Sequence, residues 1–123
     1  MDPRHPQARL HRKAMRQSAF WLHARAKEVR QAAASDARTQ SREASLRAMA
    51  RLCERSASTM DCRSAKDAML AEPMPEGMDP SGWNEGVCGG LNGVNLHAAR
   101  LGVSPWAYAP ATNEVAVASG ETD

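Results

Sequence analysis

The chain has 123 residues, a formal charge of +2 and only five aromatic residues, Phe20, Trp21, Trp83, Trp106 and Tyr108. This bounds it to one domain with a modest core. Three cysteines without a CxxC pair argue against a disulfide framework and fit the cytoplasm or another reducing compartment, a virion included. No run of 18 apolar residues is present, which excludes a membrane-spanning helix.

The small net charge conceals a split. Residues 1–72 carry 15 of the 16 Lys/Arg against 8 acids, whereas residues 73–123 carry one Arg against 6 acids. Such asymmetry points to a basic face that meets something acidic: nucleic acid, a protein surface, or the chain's own C-terminal part. Residues 3–27 hold seven Lys/Arg and no acid, as an organelle transit peptide does. The heptad running on from this stretch favours a helix kept in the fold, with organelle targeting as the second reading.

Residues 7–72 contain neither Gly nor Pro, and 16 of these 66 residues are Ala, the best helix former. Pro6 suits a first helical turn, and Pro73 and Pro75 are a firm stop. Met15, Ala19, Leu22, Ala26, Val29 and Ala33 follow a 4–3 spacing. The pattern lapses through the polar run Ser35–Arg42 and resumes at Leu46, Ala50, Cys53, Ala57, Met60 and Ser64. Folding the chain about Thr39–Gln40 pairs large with small residues in six layers: Met15 with Ser64, Ala19 with Met60, Leu22 with Ala57, Ala26 with Cys53, Val29 with Ala50, and Ala33 with Leu46. The expected fold is therefore all-α, an antiparallel helical hairpin with an Ala-lined coiled-coil seam. One long helix in a parallel homodimer is the competing arrangement.

Phe20, Trp21, Met49 and Leu52 fall off that seam, and Met69 and Leu70 lie beyond it. They require a cover, either the C-terminal part or a partner. Ser58 and Ser64 each begin a capping-box pattern, so the second helix should break near Ala57 and a short third helix should end at Glu72. The expected organisation is a basic hairpin over 1–72, a linker over 73–80, and a Gly/Trp-rich segment over 81–110. A tail follows over 111–123. Within 81–110, Gly82–Gly93 reads as a loop and Asn95–Leu101 as one short helix closed by Gly102.

Two binding leads stand out. Arg9, Arg12, Lys13 and Arg16 share a helical face free of acids and are followed by Phe20, Trp21 and His23. Such a stripe suits anion binding, with the aromatics available to stack on bases. The alternative is a degenerate helix-turn-helix at 49–65, whose Arg55, Ser58, Thr59 and Arg63 would contact DNA. Glu54 in the turn and Arg55 and Arg63 at packing positions depart from that pattern. A similar fragment, Ala98–Pro105, fits a helix end better.

Cys53, Cys62, Cys88 and His97 are the only set from which a metal site could be drawn, and no short-spaced pair supports one. Cys88 with His97 as base is the single nucleophile candidate. Gly89-Gly90-Leu91-Asn92-Gly93 lacks the Lys-Ser/Thr of a phosphate loop. No enzymatic motif, metal or cofactor is therefore expected. The expectation is a small assembly or adaptor protein, such as a phage, virion or large-complex subunit, that binds an acidic partner through its basic helical face, with the Gly/Trp segment as the other contact; a protein partner or a homo-oligomer is expected. A DNA-binding regulator is the alternative.

Overall fold

The computed structural model describes residues 6–32, 36–59 and 62–102. They form four helices and, among the described residues, no strand: α1 (Pro6–Ala32), α2 (Ala37–Thr59), α3 (Cys62–Ala71) and α4 (Pro80–Arg100).

α1 and α2 form the antiparallel hairpin. Met15, Ala19, Leu22, Ala26 and Val29 of α1 are buried, as are Leu46, Ala50, Cys53 and Ala57 of α2. Ala33, Met60 and Ser64 lie outside the described residues or side chains. The fold-back comes earlier than Thr39–Gln40, because Asp36 caps α2. Its Oδ1 accepts from the Thr39 N–H at 2.7 Å, and its carbonyl accepts from the Gln40 N–H at 3.0 Å. Thr39 and Gln40 thus belong to the first helical turn. His23 faces Glu54 at 3.6 Å and Arg30 faces Glu43 at 4.0 Å.

α2 continues through Ala57 to Thr59, and α3 ends at Ala71 rather than Glu72. α3 buries Ala65 and Met69 and leaves Leu70 exposed. In the linker, Gly77 takes φ +88° while the Met78 N–H donates to the Pro75 carbonyl at 3.3 Å. A positive φ at the third position of such a turn is the conformation glycine adopts without steric cost. Pro80, placed in the linker by its neighbours, is instead the first residue of α4.

The largest departure from the sequence reading is α4. Gly82–Gly93 is not a loop, and the C-terminal helix is not short: it runs 21 residues. Its glycines form a face. Gly82, Gly86, Gly90 and Gly93 are all buried, and α4 lies along α2 through the first three of them. A Cβ on Gly82 would collide with the Arg38 carbonyl, and one on Gly86 with the Ser45 side chain. On Gly90 it would fall within 2.7 Å of Met49 Cγ, and on Gly93 within 2.7 Å of the Trp21 ring.

Arg38, Ser45 and Met49 meet Gly82, Gly86 and Gly90 in ascending order, so α4 runs parallel to α2. α3 and the linker make the return that this requires. Asp79 starts α4, its Oδ2 accepting from the Gly82 N–H at 2.9 Å. Two serines on the α4 side of α2 tie the helices together. The Asp79 N–H donates to Ser41 Oγ, and Ser45 Oγ donates to the Trp83 carbonyl, each at 2.7 Å. Arg38 pairs with Glu85 at the same junction.

α4 supplies much of the cover that the hairpin needed. Met49, Leu52 and Met69 are buried with Trp83, Leu91 and Val94 in one core, each large side chain contributing about 1.5–3 kcal/mol. Gly102, at φ +73°, ends the helix as expected, its N–H donating to the Ala99 carbonyl at 3.1 Å.

The glycine face predicts opposite outcomes for neighbouring substitutions. Gly86→Ala should destabilise by about 1–3 kcal/mol, since overpacking against Ser45 outweighs the gain in helix propensity. Gly89→Ala meets only Leu46 Cδ2, at 3.5 Å, and should stabilise by up to about 1 kcal/mol. Asp79→Ala should cost about 1 kcal/mol. Denaturant titration of the three variants measures each.

Candidate interaction face

The exposed side of α1 is built by helical periodicity. At 100° per residue, Arg9, Lys13, Arg16, Phe20 and Lys27 fall within one narrow stripe opposite Met15, Leu22 and Val29. All five are exposed. Arg12 is half-buried on the flank, so the expected basic quartet divides into three exposed cations and one at the edge. Among the described residues, no carboxylate lies within ion-pair distance of Arg9, Lys13, Arg16, Lys27 or Arg100. Four of the described acids instead pair elsewhere: Glu28 with Arg25, Glu43 with Arg30 and Arg47, Glu54 with His23, and Glu85 with Arg38.

The two adjacent aromatics have opposite fates. Trp21 is half-buried as a wedge between α1 and α4, with its ring over Gly93 and edge-on to His97 at 6.0 Å. His97 is buried, and its Nδ1 lies 2.8 Å from the Gly93 carbonyl oxygen. Trp21 is thereby a packing residue. Phe20 is 79 % exposed in the middle of the cationic stripe. Single exposed apolar residues are ordinary, but one set between two grooves is a candidate contact.

A groove of about 920 Å³ lies on the α2 side of Phe20. Ala19, Ala24 and Ala57 form its apolar lining, and Arg16, Lys27, Arg47 and Glu54 stand around it. A second groove, about 500 Å³, lies on the α4 side. It is lined by Lys13, Arg16, Gln17, Phe20, Trp21, Ala24, His97 and Arg100. Among the described residues, this second groove has three cations and no acid. Sequence reasoning found Lys13, Arg16, Phe20 and Trp21 but missed His97 and Arg100, which only the docking of α4 brings to α1.

The alternative DNA-binding set does not assemble as a helix-turn-helix. Residues 49–59 lie within the single continuous helix α2, so Glu54 and Arg55 occupy no turn. Arg55 is exposed, and the side chains of Ser58, Thr59 and Arg63 lie outside the described residues. In the second fragment, Ala98–Gly102 is the end of α4, as a helix cap requires, and residues 103–105 lie outside the described residues.

Nor does Cys88 meet His97. Both are on α4, nine residues apart, which separates them by about 13 Å along the axis. No group of three potential metal ligands occurs among the described residues. Cys53 is buried in the seam and Cys88 is exposed. Burial, with the neighbouring Glu54 charge as a lesser cause, pushes the Cys53 thiol up to about 12. Burial also holds the His11 imidazole below its ordinary 6.5. None of the described helices is long and apolar enough to cross a membrane.

Comparison with protein-family models, with curated proteins and with solved structures finds no match to this chain.

In a Cys62→Ser background, thiol reagents at neutral pH should modify Cys88 readily. Cys53 should react only on unfolding, its thiolate being scarcer by about three orders of magnitude. Burst labelling of both cysteines in native protein would contradict the buried seam. His11 sets a pH dependence. Its folded-state pKa is depressed, so the unfolded chain takes up the proton first as pH falls through 6.5. Stability should therefore drop from pH 7 towards pH 5. His11→Gln should flatten that interval in urea titrations.

Proposed function

We propose that this chain is a non-enzymatic adaptor or assembly subunit that binds an acidic protein through the exposed face of α1. The observation that carries the reading is Phe20, exposed at the centre of Arg9, Lys13, Arg16 and Lys27, which have no carboxylate within ion-pair reach among the described residues. An aromatic anchor ringed by cations offers apolar burial at the centre and charge selection at the rim, the usual division in protein interfaces. The groove on the α2 side is lined by alanine and could seat an amphipathic helix, whose acidic face would meet Arg16 and Lys27. Duplex phosphate would use the cations but leave Phe20 unserved. An acidic protein uses both.

The test is affinity purification from the native source, with and without nuclease, followed by mass spectrometry. Wild type should retain an acidic protein after nuclease treatment. Phe20→Ala should weaken capture by at least about tenfold, and Lys13→Glu with Arg16→Glu should abolish it. These side chains are exposed, so thermal unfolding should be nearly unchanged. Capture that ends on nuclease treatment would assign the face to nucleic acid. Capture indifferent to all three substitutions would remove α1 from the interface.

A further inference from the structure

A second exposed apolar surface lies on α3 and the linker, and its charge is opposite to that of α1. α3 packs on α2 and α4 and buries Ala65 and Met69. At 100° per residue, Asp67, Leu70 and Ala71 then fall on its outward side. All three are exposed, Leu70 by 45 %, and Met74 just beyond the helix is exposed by 41 %. Glu72 and Glu76 flank Met74, while Lys66 stands half-buried at the edge of α3. Among the described residues, no cation lies within ion-pair distance of Asp67, Glu72 or Glu76. Single exposed apolar residues are ordinary, but neighbouring ones rimmed by charge mark a contact surface. We propose that this α3–linker patch, on a second copy of the chain, is the acidic surface that the α1 face binds. Leu70 and Met74 meet Phe20, and the three acids lie among Lys13, Arg16 and Lys27. The inference rests on the function proposed above and names its partner.

Charge, size and apolar content agree with this assignment. Each face has uncovered apolar side chains and charges without partners among the described residues, and the signs are opposite. Lys13 to Lys27 spans about 21 Å of α1. Asp67 to Glu76, one helical turn followed by the linker, spans at most about 24 Å. Phe20, Leu70, Met74 and Leu96 are the exposed large hydrophobic residues among those described, and one contact between the two faces covers all but Leu96. The alanine-lined groove beside Phe20 gives Leu70 and Met74 an apolar seat. Within one chain, no ion pair joins the two faces among the described residues. The net charge of +2 opposes pairing only weakly, because charges beyond about 8 Å are screened at physiological ionic strength. Because the two faces differ, the contact is head-to-tail. Each copy uses one face and leaves the other open, so growth continues to a ring or an open chain.

Sedimentation velocity of the purified full chain is the test. Wild type should sediment increasingly above the monomer between about 5 and about 500 μM, the range of small, transient interfaces. High salt should reverse the rise. Two variants each remove one face: Phe20→Ala with Lys13→Glu and Arg16→Glu, and Leu70→Ser with Met74→Ser. These side chains lie outside the core, so both variants should keep the wild-type circular dichroism. Each alone should associate at least about tenfold more weakly. Their equimolar mixture should form a one-to-one heterodimer and stop there, because each variant keeps the face that the other lacks. This rescue separates a lost contact from a lost fold. A wild type that stays monomeric at about 500 μM overturns the proposal. If that monomer still captures another acidic protein through Phe20, the function proposed above stands without it. Association that neither variant weakens, or a mixture no larger than its components, places the contact elsewhere and also overturns the proposal. Heterodimer rescue with no other protein captured makes the second copy the partner of the α1 face.

Discussion

The close approach of α4 to α2 is the constraint on which the rest of the molecule depends. Gly82, Gly86 and Gly90 place one helix backbone against Arg38, Ser45 and Met49 of the other with no room for a methyl group at the interface. Small residues allow such proximity, and proximity lets serines reach across: Ser41 and Ser45 each make a 2.7 Å hydrogen bond to the incoming chain at Asp79 and Trp83. The same contact carries Trp83, Leu91 and Val94 over Met49 and Leu52, closing a core that the alanine seam leaves open. It also brings His97 and Arg100 to Trp21. The candidate interaction face is thus completed by a contact on the other side of the bundle.

The hairpin was legible in the sequence because its signal is periodic and uninterrupted. Met15, Ala19, Leu22, Ala26 and Val29 could be named from spacing alone, and all are buried. The site of the turn was not legible, because a polar run gives no apolar register, and the carboxylate of Asp36 decides the matter locally. α4 was misread for a physical reason: glycine disfavours an isolated helix, so a glycine cluster reads as a loop. The information was present in the spacing of Gly82, Gly86, Gly90 and Gly93, which marks one face of a helix, and in Asp79-Pro80, a cap followed by a favoured first residue. Tertiary packing outweighed local propensity at this helix.

Of the candidate site, periodicity revealed the stripe of Arg9, Lys13 and Arg16 but not which aromatic would be exposed. Phe20 and Trp21 are adjacent and 100° apart on the helix. The choice depends on Gly93, which offers Trp21 a slot that exists only after α4 docks. The acids were informative by position. Glu28, Glu43 and Glu85 neutralise other arginines and Glu54 faces His23, which leaves the stripe's charge concentrated on one face.

Five glycines in the 21 residues of α4 have a consequence for how the molecule opens. At about 1 kcal/mol each relative to alanine, they make this helix unstable by some 5 kcal/mol outside the bundle. α4 therefore has no reason to persist as a free helix once detached. Undocking and helix loss coincide, so α4 behaves as one cooperative unit whose amide protons exchange together. The alanine-rich hairpin, built from local contacts, has the lower contact order and the faster route to structure. Folding then proceeds from a hairpin that can form early to a glycine helix that exists only where it lands.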